Sequence, residues 1–215
     1  MSDKSKTLRF GVLVFLSLGV AAYAIVTYSI LPLGVAVHPD MRLNFEAHRF
    51  AISTHIFASA VALALGPLQF SSRFRAKRLS VHRICGRLYL GVGIALGGVA
   101  GLYMASHAFG GLVARAGFTC LAILWLYTGL RAYLAIRAGD VAAHRRWMIR
   151  NFSLTFAAVT LRLWLPAATL LGISFEVAYP AISWLCWMPN LFVAELLVRR
   201  GTVSPFADEP VPRDT

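Results

Sequence analysis

Charge is what this chain has least of. Asp, Glu, Lys and Arg together make up 14% of its 215 residues, and only nine of them are acidic. A soluble domain of this size carries roughly 25%. Apolar residues reach 58%, and the mean hydropathy is +0.67. Those figures exclude a soluble globular domain and a disordered chain. Cysteine is also scarce. Cys85, Cys120 and Cys186 are odd in number and widely spaced, which excludes a disulfide framework and a CxxC zinc site. The formal charge of +12 points away from nucleic acid, because the basic residues fall between apolar runs rather than on one soluble face.

What the chain does have is long apolar segments. Six are long enough to cross a bilayer: about Phe10–Leu31, Phe50–Phe70, Leu88–Phe109, Leu112–Tyr133, Met148–Gly172 and Tyr179–Val198. Spanning the hydrocarbon takes about 20 helical residues, whereas barrel strands alternate and need only about 9–11. The pattern therefore predicts an all-α, polytopic transmembrane bundle over residues 10–200. A short N-terminus (1–9) precedes it, and a proline-bearing disordered tail (201–215) follows. Lys4, Lys6 and Arg9 before an apolar run, with Ala22-Tyr23-Ala24 after it, imitate a signal peptide. The run continues to Val37, which favours an uncleaved first span.

Basic residues alternate between the two sides. Arg73, Arg75, Lys77, Arg78, Arg83 and Arg87 follow span two, and Arg137, Arg145, Arg146 and Arg150 follow span four. Lys4, Lys6 and Arg9 precede span one, and Arg199 and Arg200 close span six. The positive-inside rule then puts both termini in the cytoplasm. The expected partners are the bilayer and, at the basic loops, anionic lipid head groups.

Six histidines stand out. His82 and His107 bracket span three, about 37 Å apart along a helix, so they cannot share a site. The natural groups are an outer pair, His55 with His107, and an inner pair, His82 with His144. Paired imidazoles at opposite faces are what a two-haem electron-transfer bundle uses, with Arg83, Arg87 and Arg145 near haem propionates. Haem b is the cofactor this reading expects. The plainer alternative makes these residues wet, interfacial boundary groups. Gly93, Gly97 and Gly101 likewise serve either macrocycle clearance or close helix packing, and packing is the commoner use.

Asp140 and His144, spaced i,i+4, could join His82 in a zinc site. A helix N-cap is the commoner use of such an aspartate. Arg162 lies deep in span five and marks a candidate site, either for an anionic or carbonyl-bearing ligand or as a tie to a neighbouring carbonyl. Asn190, Gln69 and Glu195 are weaker candidates, with Arg199 at i+4 as partner for Glu195. An offset of 62 residues superposes His82-Arg83 on His144-Arg145 and Arg75 on Arg137, as a repeated hairpin would.

Several segments together resemble a known family: Gly66-Pro67-Leu68-Gln69-Phe70, His82-Arg83-x-x-Gly86-Arg87-x-Tyr89, Gly139-Asp140-x-x-x-His144-Arg145-Arg146-Trp147-Met148-x-Arg150, Leu161-Arg162-Leu163 and Trp184-Leu185-Cys186-Trp187-x-Pro189-Asn190-Leu191. They are similar to the bacterial multi-pass membrane proteins grouped as domain of unknown function 2306. The resemblance runs from about Phe45 to Arg200 and implies a bacterial inner-membrane protein of no assigned activity. It draws attention to His55, His82, His144, Arg87, Asp140 and Arg162. In outline the bundle is also similar to cytochrome b561-type proteins, an analogy of architecture alone. Three functional expectations follow: a haem-binding electron-transfer protein, a small-molecule or lipid transporter or binding protein using Arg162 and His55, or a structural subunit of a membrane assembly.

Overall fold

The computed structural model describes residues 3–201, so the tail expected beyond Gly201 lies outside the described residues. Among those residues there is no strand, and six helices are long and apolar enough to cross a membrane. The first is α1 (Asp3–Ile30). A loop and the short α2 (Arg42–Ala47) lead to the second, α3 (Arg49–Phe70). After α4 (Ser72–Lys77), the third span is one rod made of α5 (Leu79–Leu88), a π-helical stretch (Tyr89–Leu96) and α6 (Gly97–Ser106). The fourth is α7 (Gly111–Arg137). The fifth joins α8 (Val141–Thr155) to α9 (Ala157–Leu170), and the sixth joins α10 (Phe175–Leu185) to α11 (Met188–Arg199).

Two helices start earlier than their apolar runs suggest. The third span begins at Leu79 rather than Leu88, and the fifth at Val141 rather than Met148. The reason is local. Asp140 caps α8, its carboxylate accepting from the Ala143 amide at 2.8 Å. Gly139 takes the positive φ of 79° needed to turn into it. Helix therefore extends through polar residues that hydropathy alone assigns to a loop. Arg162 shifts accordingly: it lies 21 residues beyond the start of its span, about 30 Å along it, in the third of the helix farthest from the basic loops.

The glycine ladder of the third span is a packing device. A Cβ at Gly93 would come within 2.6 Å of the Ala62 Cβ, and one at Gly97 within 3.2 Å of the Ala58 Cβ, so this rod and α3 touch almost backbone to backbone. Pro189 and the turn at Cys186–Trp187 break the sixth span. The Cys186 carbonyl there accepts from Thr160 Oγ1 and from Asn190 Nδ2. This is why Asn190 sits in an apolar helix: a freed carbonyl in a lipid-surrounded bundle needs a donor.

A buried polar network joins three spans at mid-bundle. Tyr89 Oη donates to Asn151 Oδ1 at 2.7 Å and lies 2.9 Å from Thr155 Oγ1. Trp125 Nε1 donates to the same Thr155 oxygen at 2.9 Å. Asn151 Nδ2 donates to the Trp125 carbonyl and to Thr128 Oγ1. Tyr89 and Asn151 are fully buried, and each polar group in the network has a partner. Outward-facing Phe15, Leu112 and Leu170, all more than 70% exposed, show the opposite side of the same logic: these surfaces face lipid.

Candidate functional site

A cavity of about 260 Å³ lies between α2, α3, α6, α7, the end of α8, α9 and α10, on the side of the network away from the basic loops. Met41, just before α2, and Asn44 and Phe45 of α2 contribute to its rim, and Trp125, Thr155 and Tyr179 to its walls. Its two strongest polar groups are His55 and Arg162. The aromatic stack of His38 on Phe175, centroids 3.9 Å apart, lies at the same end of the bundle.

His55 is held from two sides. Its Nδ1–H donates to the Gly97 carbonyl at 2.8 Å. Its ring lies over Gly101, where a Cβ would stand only 2.7 Å from Nδ1. With Nδ1 committed as the donor, Nε2 carries the lone pair of the neutral ring and is the nitrogen open to a ligand. Thus Gly97 and Gly101 serve the site as well as the helix contact. The third glycine in the ladder leaves room for a side chain of α3 rather than for a macrocycle.

Arg162 is tied within its own helix, donating Nη1–H to the Ala158 carbonyl at 2.9 Å. Its guanidinium also lies 5.6 Å from the Tyr23 ring centroid on α1. Among the described residues no carboxylate lies within ion-pair distance of it. The expected tie to a carbonyl is therefore real, but it occupies one of five donors.

The two expected histidine pairs fare differently. His107 is not with His55. It packs on His48, with ring centroids 4.2 Å apart, and on Tyr103 at 4.8 Å. Tyr103 Oη in turn sits 3.1 Å from His48 Nδ1, and Asn44 Nδ2 donates to the His107 carbonyl. The physical reason is position. His107 is the residue that ends α6, beyond the helical face that carries Gly97 and Gly101 against His55. Rings in direct contact leave no space for a flat macrocycle, so these residues do not fit an outer haem with His55 and His107 as its axial ligands. His82 and His144 lie within electrostatic reach of each other and of Arg75 at the basic end. His144 donates Nδ1–H to the Ala132 carbonyl at 2.8 Å. Arg87 is exposed on α5 and outside both groups.

Of the residues in the zinc alternative, His82, Asp140 and His144, Asp140 serves as the cap of α8, its Oδ1 accepting from the Ala143 amide. No cluster of three His, Cys, Asp or Glu side chains suited to a metal occurs among the described residues. Glu195 does meet Arg199, at 3.3 Å, but its stronger partner is Arg150, which binds it with two hydrogen bonds of 2.8 and 3.2 Å. That pair joins residues 45 positions apart, and no local spacing signals it. Trp125 and Thr155 are likewise invisible to motif reading, since an isolated Trp or Thr in an apolar run reads as packing.

Fold and site together define a six-span helical membrane protein with a largely apolar cavity, carrying His55 and Arg162, in one half of the bundle. It belongs to the family described as predicted membrane protein (DUF2306), whose model matches residues 52–198. No curated protein and no solved structure shows significant similarity to the chain.

Proposed function

We propose that this protein binds a small, largely apolar molecule with a hydrogen-bond-accepting head, a carboxylate or a polarised carbonyl, in the cavity between His55 and Arg162. The observation that carries this reading is the pairing of an unneutralised guanidinium with an imidazole of fixed tautomer in one apolar-walled space. Ligand sites of this kind are mostly apolar with a few placed polar groups, and a volume just under the roughly 300–1,000 Å³ usual for drug-sized ligands suits a compact head with one narrow tail. A deep arginine in a membrane protein is a functional candidate by default. With the basic loops in the cytoplasm of a bacterial inner membrane, the cavity lies in the outer half of the bilayer, where such a molecule enters from lipid or from the outer side.

The test is extraction. The full chain is purified in mild detergent, and co-purifying small molecules are extracted with solvent and identified by mass spectrometry. A carboxylate- or quinone-bearing molecule present with the parent protein and depleted with Arg162→Gln and His55→Gln supports the proposal. Identical extracts from all three folded proteins sink it. A reduced-minus-oxidised visible spectrum of the same sample tests the cytochrome reading. Absence of an α-band is the expected result, and a stoichiometric band that disappears with His55→Ala would restore haem.

A further inference from the structure

At the opposite end of the bundle, where the basic loops gather, a second group of side chains is built differently. Arg75 projects from α4, His82 from α5, and His144 and Arg145 from the first two turns of α8. Arg75, Arg83 and His144 all act electrostatically on His82. Partial burial, and then the neighbouring Arg145 charge, pull the Arg75 guanidinium below the ordinary arginine value. Basic groups drawn from separate segments thus act on one another. Two carboxylates described at this end are spent elsewhere: Asp140 caps α8, and Glu195 binds Arg150 and Arg199. Neither Arg75 nor Arg145 has an ion-pair partner among the described residues.

Two buried atoms without partners lie beside this cluster. Gln69 is nine-tenths buried at the end of α3, and its Nε2 makes no hydrogen bond among the described residues. His82 Nδ1 is buried and equally unpartnered. The Gln69 amide lies over Gly86, its Oε1 3.2 Å from the place of a Cβ there. Gly86 is one helical turn from His82 on the same face of α5, a separation of about 6 Å. A buried polar atom left unsatisfied costs about 1–3 kcal/mol, so each of these two atoms calls for a partner. The available groups are an amide N–H, an imidazole nitrogen able to carry hydrogen, and guanidinium N–H. No acid is among them.

We propose that Gln69, Arg75 and His82, with Arg145 alongside, form a binding site for a phosphate monoester group. Its tetrahedral oxygens span donors set a helical turn apart, and its charge of nearly −2 relieves the repulsion between Arg75 and Arg145. This chemistry belongs equally to a lipid head group such as phosphatidic acid and to free phosphate. The site is independent of the cavity holding His55 and Arg162, and it takes a ligand of a different class.

The experiment uses the full chain, delipidated in a neutral detergent. Native mass spectrometry counts bound phosphatidic acid against phosphatidylcholine, and equilibrium dialysis measures labelled inorganic phosphate. We expect one anion bound per chain, with affinity reduced about tenfold or more in Arg75→Gln and in His82→Gln, the loss of a charge-assisted hydrogen bond. Gln69→Glu, which keeps the shape and adds a negative charge, abolishes binding. Arg78→Gln removes an equal charge from the exposed end of α4 and leaves affinity unchanged. Binding of phosphatidic acid alone identifies a lipid ligand, and binding of both probes with mutual competition identifies a soluble phosphate. Equal losses in Arg75→Gln and Arg78→Gln would reduce the effect to general surface charge and overturn the site. So would the absence of stoichiometric binding by either probe. Should Arg75→Gln fail to fold, His82→Gln and Gln69→Glu carry the same decision.

Discussion

Tyr89 donates its hydroxyl hydrogen to Asn151 across 2.7 Å of buried space, and the two residues are 62 positions apart. The same interval separates His82 from His144, which also lie within electrostatic reach of each other. It separates the starts of α3 and α7, at Arg49 and Gly111, and the starts of α5 and α8, at Leu79 and Val141. The π-helical stretch over Tyr89–Leu96 maps onto the segment holding the break at Phe156. Two hairpins of one design thus face each other, and matched residues meet between them. An axis along the membrane normal produces this relation in other bundles.

The mid-bundle network makes a stability prediction. Asn151→Ala removes three hydrogen bonds, to Tyr89 Oη, Thr128 Oγ1 and the Trp125 carbonyl, and should lower stability by about 1–3 kcal/mol in all. Tyr89→Phe, which orphans only Asn151 Oδ1, should cost less. Thermal unfolding in detergent, followed by circular dichroism, ranks the two. Equal, negligible losses would mean that water replaces the missing partners.

Gly101→Ala should act on His55 rather than on the fold. Its Cβ would stand 2.7 Å from His55 Nδ1, so the ring must leave the Gly97 carbonyl, at a cost of about 1 kcal/mol for that hydrogen bond. Binding of the cavity ligand should weaken about fivefold or more. Gly91→Ala is the control, since a Cβ there meets nothing within 4 Å. A ligand titration on both variants decides the matter, and equal affinities would remove His55 from the site.

Asp140 is predicted to matter as a cap. Asp140→Ala should lose about 1 kcal/mol of stability, while Asp140→Asn, which caps as well, should lose little. A chelator should change neither unfolding midpoint. A midpoint that falls on chelation would bring back the zinc reading.

Arg150 and Glu195 should be coupled. Their bond is bidentate and partly shielded, with the two side chains 18% and 34% exposed. A double-mutant cycle with Arg150→Gln and Glu195→Gln should show an interaction of about 1 kcal/mol, near the top of the range for accessible pairs. Additive losses would show that Arg199 takes over as the partner of Glu195.

The expected orientation is testable separately. Reporter fusions active only in the cytoplasm should work at either terminus and after Arg137, and should fail after His107.

The sequence by itself determined the helical class, the six spans and the alternation of basic loops. Those properties depend on composition over windows of about 20 residues, and lipid permits few alternatives for such windows. It also marked Asp140 as a cap and singled out His55 and Arg162, because polar groups in apolar runs are locally conspicuous. Only the tertiary structure decided who meets whom. His107 joined His48 instead of His55 because the end of α6 carries it off the glycine face. Arg150 claimed Glu195, and Tyr89 met Asn151, through contacts between helices distant in sequence. Lipid-facing and buried apolar residues are chemically alike, so hydropathy does not report which face of each span turns inward. That choice comes from the fit of glycines against side chains and from the closing of polar networks, which exist only once the helices are assembled.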